Sequence, residues 1–322
     1  MESLDRWPWL HAAFNLLRST APPHGLLLTG SGGIGKGILA RHWAKALLCE
    51  AGQDGPCGVC HACTWMAGGQ HPDYRELLPI DAEGEKSSKA VRPIMVDQVR
   101  DLTDFLMVSA HRQGWKIILI EPADALNVAA ANALLKSLEE PPPHTLFMLI
   151  TDHPTRLPAT LRSRCRHHAV PLPAASEALA WLRQEGMPEA DEGCLRRAGG
   201  APLRALEQQR LEKDGRRRLL DLMLSDAFSW LERVEGVLAL DGYPWLLWLQ
   251  HLVMDLVQCK LAGQGYYHAD EQQRLTLLAR RLALPDLLDW ERRLREGQRW
   301  QGHPLNPRLV VESLLLPLHT TA

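Results

Sequence analysis

Through the first half of the chain, apolar runs of strand length alternate with segments of helical period; in the second half only the helical period remains. Trp7, Leu10, Phe14 and Leu17 recur at helical spacing near the start. "GLLLTG" (25–30) then reads as a buried strand, and "ILARHWAKALL" (38–48) as the helix that follows it. Further on, the strands "WKIILIE" (115–121) and "TLFMLIT" (145–151) flank the helix "NVAAANALLKSLEE" (127–140). In that helix Val128, Ala131, Leu135 and Leu138 are expected to share the buried face, and Pro141 to Pro143 end it. Such alternation predicts a parallel α/β sheet over residues 1–168.

After "VPLP" the pattern changes. Residues 169–208 read as a short helical module, and 209–322 as an all-helical segment rich in Leu, with Trp230, Trp245, Trp248, Trp290 and Trp300. The most apolar stretch, "WLLWLQHLVMDLV" (245–257), is too short to span a bilayer and carries Gln250, His251 and Asp255, so a buried bundle helix is expected, with no membrane partner. No repeat or low-complexity tract is visible.

Composition narrows the function. At 322 residues the chain is long for one domain, and its 46% apolar and 23% charged residues are ordinary for a globular protein. A formal net charge of −2 argues against a chain that binds nucleic acid tightly by itself, because Lys and Arg must neutralise phosphates. The opening "MESLDRWPWL" lacks the basic and apolar regions of a secretory signal, so a cytoplasmic setting with reduced cysteines is expected.

"GSGGIGKG" sits between the first strand and its helix and matches the phosphate-loop pattern G-x-x-x-x-G-K-[ST] at every position but the last. Gly30, Gly32, Gly33 and Gly35 allow backbone N–H groups to face phosphate oxygens, and Lys36 is placed to reach the outer phosphates. Gly37 stands where a hydroxyl should ligate Mg²⁺. The best candidate for the second half of the pocket is "IILIEPADAL", where Glu121 replaces the metal-binding Asp and Pro122 the water-activating Glu. Three losses together predict that hydrolysis is gone, since phosphoryl transfer depends on metal and positioning. Nucleotide binding through Lys36 is left open; bound Mg²⁺ is not expected.

"CGVCHACTW" (57–65) sets Cys57, Cys60 and Cys63 three apart, and Cys49 ends the helix upstream, with Gly52, Gly55 and Pro56 between to turn the chain back. Four thiolates predict one closed, structural, tetrahedral Zn²⁺ site per chain. The spacing also allows a redox Cys pair, or His61 or His71 as the fourth ligand. Cys165, Cys194 and Cys259 read as packing residues.

The stretches "HPDY" (71–74), "IMVDQVRDL" (94–102), "AAANALLKSLEEPP" (129–142) and "TRLPATLRSRC" (155–165), with the cysteine loop and degraded nucleotide motifs, resemble the bacterial clamp-loader subunits of the AAA+ class. The likeness runs to about residue 208; beyond it only length and helical character agree. It implies an AAA+ P-loop domain over 1–168 carrying a zinc knuckle at 49–63, a small helical lid over 169–208, and an all-α collar over 209–322 that oligomerises. The degraded motifs resemble a non-motor member of the DNA polymerase III nucleotidyltransferase holoenzyme. Implied partners are motor subunits (gamma/tau) and the delta subunit in a hetero-oligomeric ring, with the sliding clamp and primed DNA met through the complex.

By the same resemblance Arg164 is an arginine finger offered in trans to a neighbour's ATP site, Thr151 the first sensor and Arg204 the second. From the residues alone, Arg164 also reads as a surface arginine in a basic segment with Arg162 and Arg166, and Arg204 as a solvated helix residue. Two other functions compete. An active motor ATPase is opposed by Gly37 and Pro122, and a zinc-dependent DNA-binding module by the neutral charge and the lack of basic-aromatic text around the knuckle.

Overall fold

Continuous apolar runs make strands covered on both faces, and in the computed structural model three such runs form the centre of one parallel sheet. The structure describes residues 4–52, 55–80, 93–108, 110, 114–240, 244–297 and 305–319. Contacts divide the chain into two units, Met1–Ala174 and Ala175–Ala322.

In the first unit two 3-10 turns, Leu4–Arg6 and Pro8–Leu10, precede α1 (His11–Arg18). Trp7, Leu10, Phe14 and Leu17 are all buried, as their spacing predicts, although Trp7 and Leu10 precede the α-helix proper. Next come β1 (Gly25–Thr29), α2 (Lys36–Leu48), α3 (His61–Ala67), β2 (Tyr74–Leu77) and α4 (Val96–Met107). The unit finishes with β3 (Lys116–Ile120), α5 (Val128–Glu139), β4 (Thr145–Thr151), α6 (Ala159–Arg162) and β5 (Arg166–Ala169). All strand pairs are parallel, in the order β2-β3-β4-β1-β5. Thr29 is in register with Thr151, and Ile120 with Leu149, so the C-terminal ends of β1, β3 and β4 lie side by side. In open parallel sheets that edge is where ligands bind.

One expected face is corrected. Asn127 caps α5 by accepting the Ala130 N–H at 2.7 Å, and this sets Ala130, Ala131, Leu134 and Leu138 inward. Val128, expected on that face, is 76% exposed, and Leu135 is only partly buried. At about 100° per residue, Val128 and Leu135 fall at the flank of the face that Ala130, Ala131, Leu134 and Leu138 define, so neither is fully covered.

The second unit is helical: α7 (Ala175–Gln184), α8 (Glu192–Arg197), α9 (Pro202–Leu224), α10 (Trp230–Leu238), α11 (Trp245–Ala262), α12 (Gln272–Arg281), α13 (Leu284–Gly297) and α14 (Pro307–His319). α9 runs unbroken through residue 208. Trp248 and Trp290 are nearly inaccessible within the core, and the Trp290 indole donates to the Leu314 carbonyl at 2.7 Å. Trp230 and Trp245 pack against the same core; Trp300 lies outside the described residues. α11 is the buried helix its composition predicts. Its fully buried Asp255 accepts the backbone N–H groups of Tyr266 (2.6 Å), Tyr267 (2.8 Å) and His268 (2.7 Å) and meets His268 Nδ1 at 2.8 Å. Among the described residues no helix is long and apolar enough to cross a membrane.

Candidate nucleotide pocket and metal centre

The glycine loop follows β1 as predicted and opens α2 from Gly35, whose φ of 93° lies in the left-handed region. Gly30 needs its hydrogen for a different reason. At φ 145° a Cβ there would lie 2.6 Å from the Val170 carbonyl oxygen. The N-terminal turns brace the loop, because the buried Trp9 indole donates to the Ile34 carbonyl at 2.8 Å.

Lys36 is 4% exposed and does not stand ready for a ligand. Its ammonium donates to the carbonyls of Gly30 (3.0 Å) and Ser31 (2.8 Å) and pairs with Asp152 Oδ1 at 2.6 Å. Asp152 follows the last residue of β4, so the sheet itself brings this carboxylate to the loop.

Side chains also crowd Gly37, where the motif expects a hydroxyl. A Cβ on Gly37 would meet the Glu121 carboxylate, with Oε2 at 2.6 Å, and would lie 2.7 Å from Arg41 Nη1. Glu121 leaves the end of β3 and pairs with Arg41 Nη2 at 2.8 Å. Arg41, one turn after Gly37 on the same face of α2, also donates to Glu76 on β2 from Nε at 3.0 Å and Nη2 at 3.3 Å. Burial works against the Arg41 charge, but Glu121 and Glu76 outweigh it and raise its pKa. Tyr74 hydroxyl donates to Glu76; burial first, then the Glu76 charge, pushes its pKa up. Mg²⁺ with a nucleotide does not fit these residues: no hydroxyl is available at 37, and two side chains occupy the space beside it.

Thr151 ends β4 fully buried, donating to Asp124 Oδ1 at 2.5 Å and accepting the His153 N–H at 2.9 Å. Pro122, between Glu121 and that loop, offers no acid or base. The loop glycines, Lys36, Gly37, Glu121 and Thr151 thus lie at one sheet edge. Asp152, Arg41, Glu76 and Asp124 were not singled out from the sequence. Only Arg41 left a usable signal, its four-residue spacing from Gly37.

Arg164 lies apart, between α6 and β5. Nη1 donates to the Thr160 carbonyl at 2.9 Å, and Nη2 pairs with Glu139 at the end of α5. Both side chains are partly exposed, at 34% and 49%. Arg204 is in the first turn of α9, in the second unit.

The four candidate cysteines converge. Their sulfurs all lie within 4.8 Å of one another, with Cys49–Cys60 and Cys57–Cys63 at 4.0 Å. A regular tetrahedron with metal–sulfur bonds of about 2.3 Å has edges of about 3.8 Å, so the set fits one thiolate-bound ion. Backbone N–H groups point at the sulfurs: Cys57 N to Cys49 (3.3 Å), Cys60 N to Cys57 (3.4 Å) and Cys63 N to Cys60 (3.4 Å). Val59 and Cys60 N–H groups lower the Cys57 thiol to about 6, whereas burial pushes Cys63 up to about 12. His61 and His71 are outside this cluster, and His71 Nδ1 accepts the Asp73 N–H at 3.1 Å. Cys165 is buried packing, its thiol raised by burial to about 11.

A five-stranded parallel sheet with a glycine loop after β1 defines a P-loop α/β protein, here with the Glu121 carboxylate against Gly37 and a four-cysteine centre beside α2. A family model described as "DNA polymerase III, delta subunit" matches residues 11–173. DNA polymerase III subunit delta' of Pseudomonas aeruginosa is 47% identical over 216 residues, 66% of this chain and 62% of that protein. The subunit of the same name from Yersinia pestis is 34% identical over 307 residues, covering 90% and 88% of the two chains. The Escherichia coli subunit tau is 40% identical over 143 residues, 44% of this chain and 20% of tau. This chain belongs to the DNA polymerase III delta-prime subunit family.

Proposed function

We propose that the chain is a non-hydrolysing clamp-loader subunit, an arm of the DNA polymerase III holoenzyme that helps partner ATPases place a sliding clamp on primed DNA. One observation carries this: Glu121, held by Arg41, fills the space where a phosphate-loop hydroxyl and its metal belong. Its own site therefore has no route to turnover, and its contribution is to a neighbour. Arg164 is the group offered, in trans, to the γ-phosphate of an adjacent gamma/tau motor subunit. Its pairing with Glu139 is half-exposed, and such pairs contribute little, so releasing it on assembly costs little.

The rest of the chain supports that arm. Residues 169–208 act as lid and 209–322 as oligomerising collar, with α9 shared between them, and the delta subunit completes the ring. Thr151, locked on Asp124, keeps the place of a first sensor without a nucleotide to sense; Arg204 keeps the place of the second. The four cysteines hold Zn²⁺, which closes an insertion too poor in apolar residues to fold by itself. The test is turnover by the isolated chain at saturating Mg²⁺ and ATP. Only background hydrolysis is expected; a steady rate that Lys36→Ala abolishes would make the chain a motor.

A further inference from the structure

The non-hydrolysing reading leaves open whether a loop that keeps Lys36 and four glycines still takes a nucleotide, and the pocket geometry bears on that question. Two carboxylates of the chain itself hold the places of ligand groups. Asp152 binds the ammonium that would bind an outer phosphate, at 2.6 Å. Glu121, anchored by Arg41, takes the volume beside Gly37. Asp152 is 39% exposed and Arg41 and Glu121 are partly buried, but each contact is held from its buried side. Lys36 is 4% exposed, and each carboxylate leaves the end of a central strand, where the sheet fixes its position.

We infer that the phosphate loop is a self-closed anion cradle, emptied of nucleotide by Asp152 and Glu121 and not by any loss of the cradle itself. The proposal rests on the reading above, since it explains that site, yet fails separately: a chain that binds ATP without hydrolysing it would refute the cradle's closure and leave the arm intact. The ligand class it excludes is a polyphosphate anion. A nucleotide arriving at the loop must displace Asp152 from Lys36, and a metal arriving with it must break the Arg41–Glu121 pair.

Removing Asp152 leaves the buried Lys36 ammonium without a counter-charge, which an incoming anion supplies, while removing Glu121 leaves Arg41 paired. Without Asp152, Lys36 keeps the Gly30 and Ser31 carbonyls; without Glu121, Arg41 keeps Glu76. The full-length chain and its Asp152→Ala/Glu121→Ala variant are titrated calorimetrically with ATP and with inorganic tripolyphosphate, each with and without Mg²⁺. The unmodified chain should show no saturable binding up to about 1 mM, whereas the variant should bind at least roughly tenfold more tightly and lose that gain when Lys36→Ala is added. Saturable micromolar binding by the unmodified chain overturns the proposal, as does a folded variant with no gain. A second arm reads stability and needs no ligand. Gly37→Thr should lower the melting temperature, and should lower it less when Glu121→Ala is already present. An equal drop in both backgrounds shows that Glu121 does not fill the position, and the proposal falls.

Discussion

The cysteine knuckle and the phosphate loop flank the same helix, α2, yet they have opposite fates. In the knuckle the four donors turn toward one another, and backbone N–H groups point at the sulfurs. In the loop the equally recognisable Lys36 ammonium turns toward the chain's own Asp152. Motif spacing brings groups together in both places. Whether they are open to a ligand depends on neighbours from elsewhere in the sheet, and Asp152 and Glu121 are such neighbours.

The largest effect that would break this contrast lies at the knuckle. Cys60→Ser should release the metal and loosen residues 49–63, because structural zinc in such sites is worth on the order of 10 kcal/mol of apparent binding energy. Metal analysis of protein purified without added zinc checks this: about one zinc per chain is expected, and none in the variant. A folded, zinc-free unmodified chain would put the knuckle in the same class as the loop.

Closure of polar groups is not by itself a mark of a lost site, and the second unit sharpens the point. There His251 stacks on Tyr267 at 4.0 Å, near His268, Asp255 and Arg197, and burial lowers its pKa to about 4. The unfolded chain takes up that proton near 6.5, the folded one only near 4, so stability is complete above the higher value and falls as pH drops between them. The loss is on the order of 3 kcal/mol. His251→Phe should flatten the pH dependence of urea unfolding across that window; an unchanged slope would show the ring is not held neutral.

A smaller effect is expected at the loop's own edge. Thr151→Val removes the bond to Asp124 and should cost about 1 kcal/mol of stability, read in the same urea melts. Nucleotide-dependent loss would instead mean that Thr151 still faces a ligand.

Much of this was legible in the sequence, for physical reasons that differ by element. β1, β3 and β4 were readable because strands covered on both faces are written as unbroken apolar runs. β2 ("YREL") and β5 ("RHHA") were not, because edge strands are half-covered and carry polar residues. The cysteine set was readable whole, since all its members lie within fifteen residues of chain. The pocket was readable only in its local parts. Asp152 meets Lys36 across 116 residues and Glu121 meets Arg41 across 80, contacts that strand order creates and spacing does not encode. Val128 failed because small alanines at 130 and 131, and not the larger Val128, set the centre of the buried face.

The central claim is that this subunit acts on a neighbour's nucleotide and not on its own. Its most direct measurement is clamp- and DNA-stimulated ATP turnover by a reconstituted loader carrying Arg164→Ala, with Arg156→Ala as control. An arginine finger is worth roughly 10³ to 10⁵ in rate at the site it serves, and in a loader with several ATP sites only one would face this subunit. The account predicts intact assembly and zinc content, a partial loss of turnover confined to one site, slower clamp loading, and poor rescue by Arg164→Lys, whose point charge lacks the planar fork. Turnover and loading at the unmodified rate would contradict it and leave Arg164 a surface residue paired with Glu139.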